Sequence, residues 1–281
     1  MASLRSALYA ALPQHALSRL GARFARWRAG PLTTIFIRWF VRRYQVNLNE
    51  AAEPDPAAYR SFHAFFTRAL AEDARAQPDD PAAVASPVDG VVSAGGRIYE
   101  DTIFQAKGLS YFATTLLGSA EAAARYRNGH FITLYLRPCD YHRVHVPLAG
   151  ELQHIRHLPG RLWPVRPWAV AGVERLFARN ERAVLEFSSD ATAYALVMVG
   201  ALMVGGLETR ITGPMRRRCH APEEWNLEMA PARFERGEEF GRFNFGSTVI
   251  LLFPYDSVKL DATLVPGSVC RLGQSLGRTS T

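Results

Sequence analysis

The chain has little cysteine, no long apolar run and no acidic residue near its start. Of its 281 residues three are cysteine (Cys139, Cys219 and Cys270), and none is spaced as a CxxC pair. This pattern argues against a disulfide framework and indicates a reducing compartment. No stretch approaches the ~18 apolar residues that a membrane-spanning helix needs. The best one, in residues 31–41, is interrupted by Arg38. The sequence therefore predicts a protein that does not cross a membrane.

The positive charge is confined to an N-terminal arm. Residues 1–49 contain eight arginines and no Asp or Glu, whereas the other 25 basic residues are balanced by all 26 acidic ones. The net charge of +7 therefore belongs to the arm, and the rest of the chain is close to neutral. Because the body shows no basic platform interleaved with aromatic residues, no nucleic-acid partner is predicted.

The arm has the spacing of two amphipathic helices separated by Gly30-Pro31. Each helix carries an aromatic and aliphatic stripe with arginines on its other sides; the stripes are Leu17, Leu20, Phe24 and Trp27, then Leu32, Ile35, Phe36, Trp39 and Phe40. This pattern is typical of helices that lie on an anionic membrane surface. Two alternatives are a stripe that packs on the protein body and a mitochondrial transit peptide. The arm comprises residues 1–50 and the body comprises residues 51–281.

The rest of the chain is predicted to be rich in strands. A helix is expected from about Ala57 to Ala76, and a helical insertion around residues 111–127. From Val84 onward, short β-favouring runs are separated by Gly and Pro, and they do not alternate regularly with helices. The prediction is an α+β, β-rich fold and not a doubly wound parallel sheet.

Four residues stand out as candidates for chemistry. His142 and His145 lie in a histidine-rich block, Asp89 lies in an Asp-Gly turn, and Ser247 follows Gly246 before an apolar run that reads as a buried strand. Ser, His and Asp can together form an activated nucleophile. A zinc site using Cys139 with the two histidines matches no common ligand spacing, so no metal is predicted. From the residues alone, ordinary turn and core roles remain open for all four.

Together these segments resemble one family, phosphatidylserine decarboxylase in its longer bacterial form. The resemblance covers nearly the whole chain and rests on YRSFHAFFTRAL, SPVDGVVSAGGRI, QAKGLSY, YLRPCDYHRVHVPLAGEL, LFARNERAVLEF, VGALMVGGLET and GRFNFGSTVILLF. The most specific motifs are the D-Y-H-R-V-H-x-P block and the Gly-Ser-Thr before an apolar strand. One departure is Phe245, where the family usually has Leu.

The resemblance implies self-cleavage. Ser247 would attack the carbonyl of Gly246, and elimination and hydrolysis would leave a covalent pyruvoyl group at position 247. The products would be a β chain of residues 1–246 and an α chain of residues 247–281. By the same resemblance, His145 is the base of this cleavage, Asp89 orients it, and His142 works in decarboxylation.

The resemblance also implies the reaction and its setting. The pyruvoyl carbonyl would form a Schiff base with phosphatidylserine and accept the electrons released as CO2 leaves, which yields phosphatidylethanolamine. The fold implied is a catalytic domain of residues 51–281 with a barrel–sandwich-hybrid core, preceded by membrane-associating helices in residues 1–50. The implied partners are an anionic membrane surface and a second copy in a homodimer, and the implied location is the cytoplasmic face of a bacterial inner membrane.

Two other functions stay open at this stage. The first is a Ser-His-Asp hydrolase in which Ser247 remains an intact nucleophile. The second is a membrane-binding scaffold without catalytic activity. The joint presence of Asp89, His142, His145 and Ser247 disfavours the scaffold.

Overall fold

Strands and short helices make up the fold. The structure is a computed structural model, which describes residues 9, 11–202, 206–215, 221–244 and 246–280. Phe245 and Cys219 lie outside these described residues. The helices are α1 Gln14–Ala25, α2 Pro31–Tyr44, α3 Phe62–Phe66, α4 Ala113–Leu117, α5 Ala120–Ala124, α6 Pro167–Val170 and α7 Leu176–Arg179, with a 3-10 turn at Glu72–Ala74. In the part of the chain that the structure describes, no helix is long and apolar enough to cross a bilayer.

The strands lie between and after these helices. They are β1 Ala83–Ala85, β2 Gly90–Arg97, β3 Thr102–Ala106, β4 Leu109–Phe112, β5 His130–Tyr135, β6 Arg143–His145, β7 Gly150–Leu158, β8 Arg182–Ser188, β9 Ala193–Val199, β10 Leu207–Thr209, β11 Gly213–Pro214, β12 Glu223–Asn226, β13 Ala232–Phe234, β14 Glu239–Phe243, β15 Thr248–Phe253, β16 Val258–Leu260, β17 Val269–Cys270 and β18 Ser275–Thr279. The α+β, β-rich class is therefore confirmed.

A central antiparallel sheet organises the molecule. Its strand order is β12-β7-β8-β9-β15-β5-β2-β17, with β13 also paired to β7. Smaller sheets have the orders β11-β10-β14-β6, β1-β18-β16 and β3-β4. Among the described residues the sheets form no closed barrel, so the finer expectation of a barrel–sandwich hybrid is not confirmed.

Strand β15 lies deep inside the central sheet. It pairs with β9 on one side and β5 on the other, and all six of its residues are buried. A strand buried on both faces is expected to be apolar along its whole length, and T-V-I-L-L-F fits that rule. The two faces of β15 contribute to two separate apolar clusters, Val249 and Leu251 to one, Ile250 and Leu252 to the other.

The predicted helix from Ala57 to Ala76 is wrong in extent. Only Phe62–Phe66 is α-helical, and its N-terminus is capped by Ser61, whose hydroxyl accepts a hydrogen bond from the Ala64 amide at 3.2 Å. Downstream, the Ala71 amide donates to Glu50 and the Ala69 carbonyl accepts from Ala52. These backbone groups pair with residues 50–52 and cannot close a helical turn. The helical insertion at 111–127 is present in shorter form, as α4 and α5.

Helices α1 and α2 pack on the body through the sides that do not carry most of the apolar stripe. The turn between them is made by Gly30, whose φ of +56° with ψ of −123° suits only glycine. Ala22, Ala25, Ile37 and Phe40 are buried, and the last three of these join a cluster with the aromatic rings of α3. The stripe itself is largely exposed: Leu20, Phe24, Trp27, Leu32, Ile35 and Trp39 each keep more than half of their surface, at 53–66%. Packing on the body thus accounts for Phe40 but not for most of the stripe.

Candidate active site

Ser247 lies directly before β15, in the interior of the protein. The residue is fully buried, and its carbonyl accepts a hydrogen bond from the Leu136 amide at 2.9 Å. Its hydroxyl has no hydrogen-bond partner among the described residues. An unpaired buried hydroxyl costs roughly 1–3 kcal/mol, and such groups concentrate where reactivity requires them.

His142 is close to the peptide bond that precedes Ser247. From the position that a Cβ would take on Gly246, the nearest described atoms are the Leu136 carbonyl oxygen at 3.7 Å and Nε2 of His142 at 3.9 Å. His142 donates from Nδ1 to the Asp140 carbonyl at 2.8 Å, because that oxygen can only accept. Nε2 therefore carries a free lone pair, and it has no partner among the described residues.

The surroundings of His142 keep it neutral. It is fully buried, and the Phe66 ring lies against it with 4.1 Å between ring centroids. Burial, and after it the positive charge of Arg68, lowers the pKa of His142 from 6.5 to about 3. A neutral imidazole with an open lone pair can accept a proton from a group placed beside it.

Arg68 is a buried cation with no carboxylate at ion-pair distance among the described residues. It is 6% exposed, donates from Nη2 to the Cys139 carbonyl at 3.3 Å, and lies 5.4 Å from the centre of the Phe65 ring. Its Nε has no described partner. An unpaired buried charge is costly, and here it acts on the histidine that faces Gly246.

His145, at the end of β6, makes different contacts. Its Nδ1 donates to the Gly237 carbonyl at 2.8 Å, which leaves Nε2 to accept a hydrogen bond from the Tyr141 hydroxyl at 3.0 Å. Burial lowers the pKa of His145. In this arrangement His145 has no hydrogen bond to Asp89 or Ser247 among the described contacts.

Asp89, directly before β2, is held by a guanidinium. Arg75 donates to it from Nε at 3.0 Å and from Nη2 at 2.5 Å, and the Leu272 amide adds a bond of 2.8 Å. Arg75 also contacts Glu50, which in turn contacts Arg271. The structure thus brings Gly246, Ser247 and His142 together, whereas Asp89 and His145 lie in neighbouring but separate hydrogen-bond networks.

A cavity of about 360 Å³ reaches Gly246. Its wall is mostly aromatic and aliphatic and includes residues of α2, the end of β5 and the segment before α6: Tyr9, Phe40, Tyr44, Phe66, Tyr135, Leu136, Pro138, Pro164, Val165, Arg166, Trp168, Ala201, Leu202 and Gly246. Such a size and lining suit a small ligand with an apolar extension. Among the described residues, no group of three His, Cys, Asp or Glu could hold a metal ion.

Several of these side chains did not stand out in the sequence. Arg68 and Tyr141 lie within motifs that carry the family resemblance, but nothing in their spacing indicated a role. Arg75 and Arg166 lie in loops without any motif. Their importance comes from the fold, which brings distant segments together.

A buried serine that follows a glycine, with a neutral histidine and an aromatic cavity beside it, defines a site suited to covalent chemistry. A family model described as phosphatidylserine decarboxylase matches residues 62–278, and one described as PSD matches residues 4–45. The chain belongs to the phosphatidylserine decarboxylase family.

Curated relatives are similar along almost their full length. A phosphatidylserine decarboxylase proenzyme of Chromobacterium violaceum is 46% identical over 270 residues, covering 94% of this chain and 95% of that protein. One of Nitrosococcus oceani is 47% identical over 276 residues, covering 96% and 89%. One of Albidiferax ferrireducens is 45% identical over 269 residues, covering 95% and 94%.

The buried neutral state of His142 predicts acid sensitivity. Below pH 6.5 the unfolded chain binds a proton at His142, whereas the folded chain does so only near pH 3. The free energy of unfolding should therefore decrease as the pH is lowered from 6.5 towards 3. For one such group the loss is about 2 kcal/mol between pH 7 and pH 5.

We expect His142→Asn to remove that part of the loss. Urea unfolding at the two pH values measures it, with both chains carrying Ser247→Ala so that each remains one polypeptide. Equal losses in the chain that keeps His142 and the chain that carries His142→Asn would contradict the prediction.

Proposed function

We propose that this chain is the precursor of a pyruvoyl-dependent phosphatidylserine decarboxylase, which releases CO2 from phosphatidylserine to give phosphatidylethanolamine. The observation that carries the proposal is the Gly246-Ser247 pair. The Ser247 hydroxyl is buried and has no partner among the described residues, Nε2 of His142 lies 3.9 Å from the position of a Cβ on Gly246, and a 360 Å³ cavity reaches Gly246. Family membership supports the same conclusion.

The first step is a rearrangement of the chain itself. Ser247 Oγ attacks the Gly246 carbonyl, the C–N bond breaks, and an ester links the two residues. Removal of the Cα proton of residue 247 then breaks its Cβ–Oγ bond, which frees Gly246 as a carboxylate and leaves dehydroalanine. Water hydrolyses the dehydroalanine with loss of ammonia, which leaves a pyruvoyl group at the N-terminus of the second chain. Glycine suits the position before the serine because it has no Cβ to hinder the approach of the hydroxyl.

We assign His145 as the base of this cleavage, with Asp89 as its orienting carboxylate. One observation supports the role of His145: the Tyr141 hydroxyl and the Gly237 carbonyl hold the ring with Nε2 as the acceptor nitrogen. The role of Asp89 rests on the family resemblance. For direct contact with Ser247, His145 must exchange its bond to Tyr141. His142 is the alternative base, because its free Nε2 already faces Gly246.

In turnover, the pyruvoyl carbonyl supplies an electrophile for the substrate amine and accepts the electrons that CO2 leaves behind. Ser247 is the residue from which the group derives. We assign His142 to proton transfer at the substrate carbon, since its neutral Nε2 faces Gly246, which lines the cavity. Phe66 and Phe40 contribute apolar surface to the wall of the same cavity.

Both chains of the proposed mature enzyme would stay together without a covalent bond. The cut would divide the molecule into residues 1–246 and 247–281, and β15 of the second chain keeps both of its pairing partners, β9 and β5, in the first. The Leu272 amide to Asp89 and Arg271 to Glu50 add further contacts. The barrel–sandwich arrangement remains part of this proposal as its expected finer topology.

We further propose that the arm binds an anionic membrane. The exposed stripe is contiguous, since Phe24 lies 5.6 Å from Phe36 and Phe36 stacks on Trp39 at 5.5 Å between ring centroids. Proteins rarely expose such a patch to water. Arg19, Arg23, Arg38, Arg42 and Arg43 are exposed around it. Phe40 and Tyr44, on the other side of α2, line the cavity, so a lipid lying along α2 would have a short path to Gly246.

With the arm bound in this way, the protein would be a peripheral membrane protein on the cytoplasmic face of a bacterial inner membrane. A homodimer is part of the family expectation and is retained on that ground alone. Of the rival functions, a hydrolase with intact Ser247 is disfavoured because the curated relatives are named proenzymes. A scaffold without activity would not require the Ser247 hydroxyl and Nε2 of His142 to be buried without hydrogen-bond partners among the described residues.

Cleavage is the direct test of the proposal. Denaturing mass spectrometry of the wild type should give two fragments divided between residues 246 and 247, the smaller with a blocked N-terminus. Ser247→Ala should remain one chain and release no CO2 from phosphatidylserine, because the attacking hydroxyl is gone. Ser268→Ala, which removes a partly exposed hydroxyl from the same segment, serves as the control and should be cut normally. A full-length chain that still decarboxylates the lipid would refute the pyruvoyl mechanism.

The two histidines should separate cleavage from turnover. His145→Ala should leave the chain uncut, whereas His142→Ala should be cut and should lose decarboxylation by ~10²–10⁴-fold, the usual contribution of a proton-transfer group. The measurements are fragment mass over time and CO2 release by the cut fraction. If His142→Ala also stays uncut, the role of cleavage base passes to His142.

Membrane binding should depend on the exposed face of α2. The double change Ile35→Ala and Trp39→Ala should weaken co-sedimentation with phosphatidylglycerol vesicles at least about ten-fold, because burying each side chain contributes about 1.5–3 kcal/mol. The melting temperature should be preserved, since both side chains are exposed. Tyr99→Ala with Val265→Ala removes exposed apolar surface elsewhere and should not alter binding. Equal effects of the two pairs would argue against the arm as the membrane contact.

A further inference from the structure

The cavity beside Gly246 has one strongly charged wall residue. Among the described residues that line it, Arg166 carries the only full charge at neutral pH, and no carboxylate is present. Arg166 is exposed, and its side chain makes no hydrogen bond or ion pair with the described residues. An anion entering the cavity would therefore meet a guanidinium that is free to bind it.

The backbone that carries Arg166 is held firmly. Leu162 donates its amide to Gln14 of α1 at 2.9 Å, and Trp163 exchanges two bonds of 2.9 Å with the Asn180 side chain. Val165 is 4% exposed, and the Arg166 carbonyl accepts hydrogen bonds from α6 at its first turn. A guanidinium on such a fixed segment loses less entropy on binding than one on a loose loop.

Arg166 and Gly246, the residue before Ser247, line the same cavity. Tyr135 connects this cavity to the strand that follows Ser247, because it lines the cavity and pairs with Thr248 across β5 and β15. In phosphatidylserine the phosphorus atom is four covalent bonds from the amine nitrogen. A substrate whose amine reaches residue 247 from this cavity would therefore have its phosphate inside the cavity.

We propose that Arg166 binds the phosphodiester of the substrate and so selects a phosphorylated serine headgroup. This inference rests on the proposed function. Arginine suits the task because its planar donors can bind two phosphate oxygens at once. Other cations nearby are less suitable: Arg137 is paired with Asp140, and Arg68 lines a different cavity of about 180 Å³. The aromatic and proline side chains around Arg166 would contact the glycerol and the first carbons of the acyl chains.

The test compares Arg166→Gln with Arg175→Gln. Both changes remove one exposed positive charge from the same region, but Arg175 does not line the cavity. With phosphatidylserine in neutral detergent micelles, Arg166→Gln should raise KM about ten-fold or more, the loss expected for a charge-assisted hydrogen bond, with a smaller change in kcat. Arg175→Gln should keep the wild-type KM. An unchanged KM in Arg166→Gln, or the same rise in both variants, would overturn the proposal.

A binding measurement separates this proposal from the proposed function. Decyl phosphate, below its micellar concentration, should bind the wild type in calorimetry and bind Arg166→Gln about ten-fold more weakly, whether or not the protein decarboxylates lipid. If wild type releases no CO2 but shows this difference, the proposed function fails and the phosphate site stands. If wild type is active and Arg166→Gln binds decyl phosphate as tightly as wild type does, the phosphate site fails and the proposed function stands.

Discussion

The pairing of β15 with its two neighbours is the constraint on which the site depends. Because Thr248 opposite Tyr135 begins an unbroken ladder, Ser247 is fixed at the last position before that ladder and cannot turn away from the interior. Leu136 on the neighbouring strand holds its carbonyl. The pairing of the sheet therefore fixes the position of the serine hydroxyl, to which the described residues make no hydrogen bond. A reactive group positioned in this way keeps its donor and acceptor free for chemistry.

Burial determines the chemistry of the two histidines more than sequence spacing does. His142 and His145 are three residues apart, but one precedes β6 and the other ends it, so they face different networks. Phe66 and Arg68 hold the first neutral from outside its own segment. Tyr141 and Gly237 fix the tautomer of the second. The same residue type in one short block thereby acquires two sets of hydrogen-bond partners, while burial lowers the pKa of both histidines.

The sequence predicted the β-rich class, the amphipathic helices, the buried strand after Ser247 and the family. These features depend on local periodicity and on contiguous motifs, which a single chain displays directly. The predicted length of the helix at Phe62 was wrong, because backbone pairing between residues 50–52 and 69–71 overrode the helical spacing of the aromatic residues. Nothing in the sequence indicated Arg68 or Arg75. Their contacts join segments that are separate in the chain, and no local pattern encodes such encounters.

The position of β15 also bears on the order of folding and of a break before Ser247. Removed from the sheet, this strand would leave β9 and β5 with unpaired edges facing each other across a gap, and exposed edges of that kind invite aggregation. A break at the Gly246-Ser247 peptide before the sheet had closed would leave both of these edges unpaired. The fold therefore favours a polypeptide that closes the sheet while it is intact, and a break at that peptide afterwards would leave the strand pairing in place.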